Sequence, residues 1–412
     1  MSDQSKISQQ KHIQDLKLNA LLEVTKAINN NYSTGQLLDL FQEILENRLG
    51  VGKLVLFSYD GEEWKCLLKY GIPNGIGPIQ FEDVLLSISE IETINFSKGE
   101  LSKQFEIVIP VFHKKTPLAY VLLSDVNEEK LELSAAIKHL PFVQTLTNII
   151  IVAIENKKLF KENIQQAQIK KELELAQSMQ QMLFPKDLPN SDGLLVAARY
   201  LPHQQVGGDY YDFIKLNNHE FVFCVADVSG KGVAAALLMS NIQATLQSLI
   251  TFTHNLKDIV IELNKRVITN AKNEKFVSIF LAKLNTKSQQ LTYINAGHNP
   301  PILFHENKFM ELSNGCPLLG IAEILPFINV EIFNYTSEFT LLCYTDGLTD
   351  TINTENETIS VASIEDLIAK NNKATPDFLN KTILFYAEEF KGENEFPDDI
   401  ALLTLKVNDL HF

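Results

Sequence analysis

Four short acidic motifs in the C-terminal half of this chain contain residue types that could bind divalent cations. They contribute Asp209, Asp227, Asp346 and the pair Asp398 and Asp399. Three of the motifs directly follow or precede a run of residues that predicts a β-strand. Hard cations such as Mg²⁺ and Mn²⁺ take oxygen ligands, and two such ions can activate a water and neutralise a phosphate. The motifs therefore predict a metal-dependent phosphoester hydrolase.

Each motif taken alone is weak, because Asp and Gly are common in turns. Asp227 is better placed, since it ends the apolar run 221–226, which is typical of a strand buried on both faces. The segment that follows, Ser229–Gly232, does not match a nucleotide P-loop. Val225 stands where that motif needs its first glycine, and Gly232 replaces its Ser or Thr. The prediction rests on the four motifs occurring together in one domain.

Composition excludes several other classes of protein. The chain has 412 residues and a formal net charge of -15, which argues against a nucleic-acid binder. We see no apolar stretch of 18 or more residues, so we expect no membrane span, and the polar start is not a secretory signal. The four cysteines are scattered, which favours thiols in a reducing compartment over disulfides or a zinc site. These features predict a cytoplasmic globular protein.

The first 150 residues predict a small domain of helices and strands. We expect residues 1–15 to be flexible and residues 16–49 to be helical, with breaks near 29–35. Strand-like runs follow, and a further helix is predicted from about residue 130; the runs are Lys53–Tyr59, Glu63–Tyr70, Phe105–Phe112 and Leu118–Ser124. This order over residues 16–150 resembles a GAF-type sensor domain. Such domains bind a small molecule or simply dimerise, and no residue set here decides between the two.

Residues 151–185 predict a helical linker. No Gly or Pro occurs from about Leu146 to Leu183, and apolar residues follow two heptad phases with a slip between them. A two-stranded coiled coil and an amphipathic helix packed on its own domain both fit this pattern. The length favours the coiled coil, which could carry a signal between domains in a homodimer. Pro185 ends the helix, because proline cannot continue it.

Residues 186–412 predict an α+β domain. Hairpin-like pairs of strands alternate with two pairs of helices, a pattern typical of antiparallel sheets packed face to face with helices outside. The predicted helices are Ala234–Thr253, Leu256–Asn270, Ile364–Lys370 and Asp377–Phe390. The acidic motifs fall at the ends of the intervening strands.

From about residue 170 to 407 the chain resembles the SpoIIE-type branch of the PPM metal-dependent serine/threonine protein phosphatases. Seven motifs in the same order and spacing carry this resemblance: Glu172–Pro185, Val206–Phe213, Ala226–Gly232, Asn295–Pro301, Pro317–Gly320, Tyr344–Asp350 and Asp398–Leu403. The resemblance implies an αββα sandwich in which two antiparallel sheets are flanked by helices. It also implies two divalent metal ions, Mn²⁺ or Mg²⁺.

The resemblance further implies a role for each acidic residue. Asp227 would bridge both metals, and the Val228 carbonyl would bind one of them. Asp346 and Asp398 would complete the ligands of the first metal, and Asp209 would orient metal-bound water or complete the ligands of the second. Asp212 and Asp399 are second-choice ligands. The implied reaction is direct attack of an activated water on phosphoserine or phosphothreonine, with no covalent phosphoenzyme.

Arg199 and His298 lie near or within these motifs. Broader relatives place a phosphate-binding arginine just before Gly207, where this chain has none, and Arg199 lies further upstream. His298 lies within one of the motifs and could assist proton transfer. We expect it instead to hold its loop.

A sensor joined by a helix to this kind of phosphatase resembles regulators of bacterial partner-switching stress pathways. The implied substrate is a phosphorylated anti-sigma-factor antagonist. Two alternatives remain open: a catalytically latent scaffold that acts by binding partners, and a hydrolase of small phosphate esters.

Overall fold

The computed structural model describes residues 3–59, 63–72, 85–93, 105–124, 139–191, 193–271 and 274–408. The chain divides into two compact units, residues 1–167 and 168–412. Each unit is described by itself below. The predicted domain boundaries at 150 and 185 therefore enclose the point where the two units divide.

The N-terminal unit is built on a five-stranded antiparallel sheet with strand order β2-β1-β5-β4-β3. Its strands are β1 (Lys53–Tyr59), β2 (Trp64–Tyr70), β3 (Glu92–Thr93), β4 (Ile107–His113) and β5 (Thr116–Ser124). Its helices are α1 (Asp3–Asn29), α2 (Thr34–Glu43), which continues as a π-helical turn over Ile44–Arg48, and the first part of α3 (Leu140–Gln181). Strands β1, β2, β4 and β5 match the sequence prediction to within two residues, whereas the two-residue strand β3 was not predicted.

Two helix starts differ from the prediction in this unit. Helix α1 begins at Asp3, so residues 3–15, expected to be flexible, are helical. No Gly or Pro occurs in this polar stretch, and nothing in the backbone chemistry therefore stops the helix from continuing. The predicted start of the last helix near residue 130 lies outside the described residues, and α3 is described from Leu140.

Helix α2 shows how local sequence sets an element. Ser33 accepts a hydrogen bond from the Gln36 amide, and the Gln36 side chain accepts one from the Ser33 amide, which forms a capping box. Leu37 and Phe41 then lie one turn apart on the buried face. The cap fixes where the helix begins, and the apolar face fixes which side packs inward.

The C-terminal unit is a four-layer αββα sandwich, as the sequence predicts. Its first sheet has the order β14-β11-β10-β9-β8, with β15 also paired to β11, and its second has the order β13-β12-β16-β17-β7-β6. The strands of the first sheet are β8 (Tyr210–Lys215), β9 (Glu220–Val228), β10 (Val277–Asn285), β11 (Gln290–Ala296), β14 (Gly315–Cys316) and β15 (Glu331–Asn334). Those of the second are β6 (Asn190–Ser191), β7 (Leu194–Leu201), β12 (Ile302–His305), β13 (Lys308–Glu311), β16 (Phe339–Tyr344) and β17 (Ile400–Val407).

Helices cover the outer faces of both sheets. Helices α4 (Val233–Phe252) and α5 (Leu256–Ala271) pack on the first sheet, whereas α7 (Val361–Lys370) and α8 (Pro376–Lys391) pack on the second. A single turn, α6 (Asp346–Thr349), follows β16. Between the sheets, Phe223 and Phe280 lie in the same buried cluster as Leu341 and Leu403. Each such side chain contributes about 1.5–3 kcal/mol to folding, so the facing sheets form a rigid frame.

Among the described residues, α4 is the one helix long and apolar enough to cross a membrane by length and composition alone. The expectation that no segment has this composition is therefore wrong. Its Ala235, Met239 and Leu246 are fully buried in the core shared with the first sheet. This packing accounts for the apolar sequence of α4.

The cysteines agree with the sequence interpretation. All four are free thiols, with Cys224, Cys316 and Cys343 buried and Cys66 exposed. Burial raises the pKa of the Cys224 and Cys343 thiols, which keeps both protonated and unreactive.

Candidate active site

The strand register brings two of the acidic motifs of the first sheet together. Tyr210 pairs with Ala226 in the antiparallel pair formed by β8 and β9. Asp209, one residue before Tyr210, therefore lies across from Asp227, one residue after Ala226. This pairing joins two motifs separated by a hairpin in the sequence.

The second sheet supplies the other two motifs in the same way. Asp346 directly follows Thr345 at the end of β16, and Asp398 and Asp399 precede the start of β17. The two strands are antiparallel neighbours, with Tyr344 opposite Leu402. The end of one and the start of the other therefore lie at the same edge of the sheet.

Electrostatic coupling shows that the four motifs form one group of charges. Burial and the charges of Asp346 and Asp398 raise the pKa of Asp227 to about 7. Burial, and then the charge of Asp227, raises the pKa of Asp209 well above its usual range. Burial, Asp350 and Asp398 raise the pKa of Asp346. We call Asp209, Asp227, Asp346, Asp398 and Asp399 the acidic cluster.

Glycines allow the two sheets to approach each other at this end. A Cβ atom on Gly207 would lie 2.0 Å from Asp399 Oδ2 and 2.1 Å from the Tyr200 hydroxyl. A Cβ atom on Gly347 would lie 2.0 Å from the Asp399 carbonyl oxygen. Neither position has room for a side chain, which explains the glycines in both motifs.

Asp399 holds the loop before Asp209 in place through hydrogen bonds. Its Oδ2 accepts a hydrogen bond from the Gly208 amide at 2.7 Å, and its Oδ1 accepts one from the His203 amide at 2.8 Å. A carboxylate oxygen can accept more than one hydrogen bond or ligand contact. Asp399 thus has a defined structural task, and its role as a metal ligand stays a prediction.

The donor chemistry of the cluster fits divalent cations. Asp209 is buried, and its Oδ2 has no hydrogen-bond partner within the described structure. The Val228 carbonyl faces Gly208, next to Asp209, because a Cβ atom on Gly208 would lie 2.8 Å from that oxygen. Buried like charges around an unpartnered carboxylate oxygen are destabilising unless a cation or protons compensate them.

The ligands are nevertheless not preassembled. No group of three or more His, Cys, Asp or Glu side chains in the described part of the chain is already arranged to hold a metal. Asp398 instead lies 3.1 Å from the Lys231 ammonium, and Asp399 binds backbone amides. Assembly of a complete ligand set therefore requires at least Asp398 to turn away from Lys231.

Asp212 does not belong to the cluster, although its motif suggested a second-choice ligand. It accepts hydrogen bonds from the Tyr210 hydroxyl at 2.5 Å and from Gln247 Nε2 at 3.0 Å. Asp209 and Asp212 are three positions apart along an extended segment, so their side chains point to opposite faces. Asp212 lines a cavity of about 670 Å³ between the end of α3, β8 and α4 instead.

Arg199 and His298, the two other residues considered near the motifs, both make structural contacts. Arg199 forms an ion pair with Asp377 at 2.5 Å, so it points away from the cluster. His298 is buried, and its Nδ1 lies 2.8 Å from the Ser278 hydroxyl, while its amide donates to Asn295 Oδ1. Burial lowers the pKa of His298 to about 4. The neutral imidazole therefore holds the loop, as expected.

Sequence reasoning missed Gln180, Tyr200 and Thr345. Gln180 contacts Gly207, the Tyr200 hydroxyl flanks the same glycine, and Thr345 Oγ1 accepts a hydrogen bond from the Ala401 amide at 2.8 Å. Gln180 lies in the motif Glu172–Pro185, which gave a signal for its segment but not for its side chain. Thr345 lies in the motif Tyr344–Asp350, which likewise gave a signal for its segment but not for its side chain. Tyr200 occurs within an ordinary strand sequence, which carried no signal.

Comparisons with known proteins agree with this fold. The C-terminal unit superposes on the SiaA-PP2C domain of Pseudomonas aeruginosa with a TM-score of 0.54 and 18% identity, covering 59% of this chain and 98% of that domain. This likeness shows that the unit has the PP2C fold. Residues 217–408 match the family model described as stage II sporulation protein E (SpoIIE).

Curated relatives point to the same class. The chain is 29% identical over 246 residues to phosphoserine phosphatase RsbU of Bacillus subtilis, covering 58% of this chain and 71% of RsbU. It is 27% identical over 187 residues to phosphoserine phosphatase RsbP of the same species, covering 44% of this chain and 46% of RsbP. The C-terminal unit is thus a PP2C-fold serine/threonine protein phosphatase domain. The match to the SpoIIE family model covers most of this unit and a little under half of the whole chain.

Proposed function

We propose that the chain is a protein phosphatase that depends on two divalent cations, Mn²⁺ or Mg²⁺, and hydrolyses phosphoserine or phosphothreonine in a partner protein. One observation carries this proposal. The cluster carboxylates come from four separate motifs and two different sheets, yet they meet at one end of the sandwich. Packing alone gives no reason to gather buried like charges, whereas cation binding does.

Each part of the cluster would have its own task. Asp209, Asp227, Asp346 and Asp398 would hold the cations, with the Val228 carbonyl and Asp399 as further ligands. The bound cations would lower the pKa of a water and neutralise charge on the phosphate. Asp399 keeps the loop of Gly208 in place, and Thr345 holds the start of β17 through the Ala401 amide.

The thiols and the imidazole have no part in this chemistry. Cys224 and Cys343 are buried inside strands, with their pKa values raised by burial. His298 is neutral at physiological pH, because burial lowers its pKa to about 4. The chemistry therefore depends on oxygen ligands and needs no covalent phosphoenzyme.

The test is release of inorganic phosphate from p-nitrophenyl phosphate and from a phosphoserine peptide, with and without Mn²⁺. Wild type should be active only with Mn²⁺, and Asp227→Asn should abolish the activity. Asp258→Asn is the matched control, because Asp258 lies exposed in the first turn of α5. Mn²⁺ binding without activity would indicate the latent scaffold, which the engaged state of Asp398 favours. Activity on the small ester alone would favour the small-ester hydrolase.

The N-terminal unit and α3 support regulation by a sensor. We propose that the unit, with its antiparallel sheet and flanking helices, acts as a GAF-like sensor domain. Helix α3 carries exposed apolar residues, including Phe160 (67% exposed) and Ile164 (44% exposed), one turn apart. Such residues support pairing of two copies in a coiled coil and therefore a homodimer. Phe160→Glu should convert the dimer to a monomer in light-scattering measurements, and a dimer in that variant would contradict the proposal.

The relatives support a proposal for the biological setting. We propose that the enzyme is cytoplasmic and acts in a bacterial partner-switching stress pathway, with a phosphorylated anti-sigma-factor antagonist as substrate. The similarity to RsbU, which extends over 71% of that protein, supports this setting. Incubation with phosphorylated antagonist proteins from the same genome should give Mn²⁺-dependent dephosphorylation of one of them.

A further inference from the structure

Lys231 is the basic side chain that contacts the acidic cluster. Its ammonium lies 3.1 Å from Asp398 Oδ2 and also donates to the Pro397 carbonyl. Its charge counteracts the rise in the pKa of Asp346. Among the ion pairs of the described residues, this pair alone includes a cluster carboxylate. Lys231 thus brings positive charge to a site that otherwise contains only acids.

The loop that carries Lys231 is held by hydrogen bonds at Ser229, and its backbone adopts positive φ angles on either side of Lys231. Ser229 Oγ accepts a hydrogen bond from the Phe276 amide at 2.8 Å, and the Ser229 carbonyl accepts one from Lys275 Nζ at 2.8 Å. Gly230 and Gly232 flank Lys231 with φ values of 88° and 72°, a region that other residues rarely adopt. The loop backbone is therefore well fixed close to Asp227, and the long, flexible Lys231 side chain extends from it.

A substrate phosphate needs positive charge that the proposed metals do not supply in full. Five cluster carboxylates carry one negative charge more than two divalent cations neutralise, and a phosphomonoester is a dianion near neutral pH. Arg199 is engaged with Asp377 and points away from the cluster. The Lys231 side chain is 43% exposed, so an incoming phosphate can reach it.

We propose that Lys231 binds the phosphoryl group of the substrate, exchanging its contact with Asp398 for one with phosphate oxygens when Asp398 turns to its role as a ligand. The inference rests on the proposed function, because it assumes that Asp398 binds a cation. Lysine binds phosphate as a point charge rather than through a bidentate fork. Arginine at this position would therefore retain much of the effect.

The experiment compares wild type with Lys231→Met and Lys231→Arg. Lys370→Met is the matched control, because Lys370 also pairs with an aspartate, at 2.5 Å from Asp366, but on the outer helix α7. Calorimetry first measures Mn²⁺ binding. It then measures binding of inorganic phosphate to the Mn²⁺-loaded protein, and kinetics gives KM and kcat for p-nitrophenyl phosphate.

Lys231→Met should weaken phosphate binding and raise KM about tenfold, because one charge-assisted contact is lost. Its affinity for Mn²⁺ should be equal to that of wild type or higher, since a competing cation has gone. Lys231→Arg should restore most of the phosphate affinity. A purely structural role for Lys231 would lower Mn²⁺ affinity and phosphate affinity together.

The outcomes separate this inference from the proposed function. Normal Mn²⁺ binding with unchanged phosphate affinity in Lys231→Met would overturn the role of Lys231 alone. Failure of wild type to bind Mn²⁺ would overturn both proposals. Because phosphate binding is measured directly, an enzyme that is switched off in isolation still gives a decisive result.

Discussion

Gln180, near the end of α3, forms hydrogen bonds with both the carbonyl and the amide of Gly207. Its Nε2 donates to the Gly207 carbonyl at 2.7 Å, and its Oε1 accepts from the Gly207 amide at 3.2 Å. Both residues are buried, so loss of either contact would leave backbone groups without water to replace it. The position of Asp209, two residues after Gly207, therefore depends on a side chain from α3.

Replacement of this glutamine should reduce activity in a protein that still folds. Gln180→Ala leaves two buried backbone groups unsatisfied at a cost of about 1–3 kcal/mol each, and it frees the loop that positions Asp209. We expect Mn²⁺-dependent phosphate release to fall at least about tenfold, while circular dichroism shows a folded protein. Gln181→Ala, an exposed neighbour on the same helix, should behave like wild type. Equal activity in the two variants would show that α3 does not position the loop.

Gly207→Ala should be severely destabilising. The added Cβ would overlap Asp399 Oδ2 and the Tyr200 hydroxyl, and neither group has space to retreat without breaking the contacts of Asp399. We expect a loss of about 2–4 kcal/mol in the unfolding of the C-terminal unit, measured by urea denaturation. Gly35→Ala in α2 is the control, because its Cβ would meet only Ser33 Oγ at 4.0 Å. It should be neutral or slightly stabilising.

Asp227→Asn should stabilise the protein in the absence of metal. The pKa of Asp227 is raised to about 7 by burial and neighbouring carboxylates, so its ionised form is unfavourable in the folded state. Amide replacement removes this repulsion and should raise the melting temperature at pH 8 without metal. Added Mn²⁺ should raise the melting temperature of wild type and Asp258→Asn but not that of Asp227→Asn. A lower melting temperature for metal-free Asp227→Asn would contradict the electrostatic account.

Because of His298, the free energy of unfolding should decrease as the pH falls. Its pKa falls from 6.5 in the unfolded chain to about 4 in the folded state, so between these values the unfolded state binds more protons. Stability from this group is therefore complete above pH 6.5 and is lost as the pH falls toward 4. Between pH 7 and pH 5 the loss is about 2 kcal/mol.

The comparison that isolates this effect is wild type against His298→Gln. The cluster carboxylates have raised pKa values and thus contribute with the opposite sign, but they are present in both proteins and cancel in the difference. The stability advantage of wild type over His298→Gln should shrink by about 2 kcal/mol from pH 7 to pH 5 in metal-free urea titrations. An advantage independent of pH would mean that His298 stays exposed to solvent protons in the folded state.

Sequence reasoning recovered the elements where local pattern and packing agree. Strands β1, β7, β9 and β17 were predicted with their observed bounds, since each is a run of apolar residues ended by turn-forming ones. The acidic motifs were found for the same reason, because they interrupt those runs. Strand β14 is buried but only two residues long, and β15 is short and partly exposed, so neither gave a strand signal.

What escaped prediction depends on contacts between distant segments. Gln180 and Gly207 are 27 residues apart, and Asp399 reaches the Gly208 amide across 191 residues. No local pattern encodes such pairs. Asp212 was considered a second-choice ligand because it lies in the same motif as Asp209, whereas the alternation of the strand separates the two side chains. The engagement of Asp398 by Lys231 likewise appears only once the loop after β9 meets the segment before β17.

The division of the cluster between two sheets has a mechanical consequence. Asp209 and Asp227 move with the first sheet, whereas Asp346 and Asp398 move with the second. Within the described residues no strand ladder joins these sheets, so their alignment depends on interdigitated side chains and on loop contacts such as Gly208 with Asp399 and Lys231 with Asp398. A slide of one sheet over the other by a fraction of a side chain would pull the site apart while every strand stayed intact. The rate of phosphate release should therefore depend on how the two sheets are aligned.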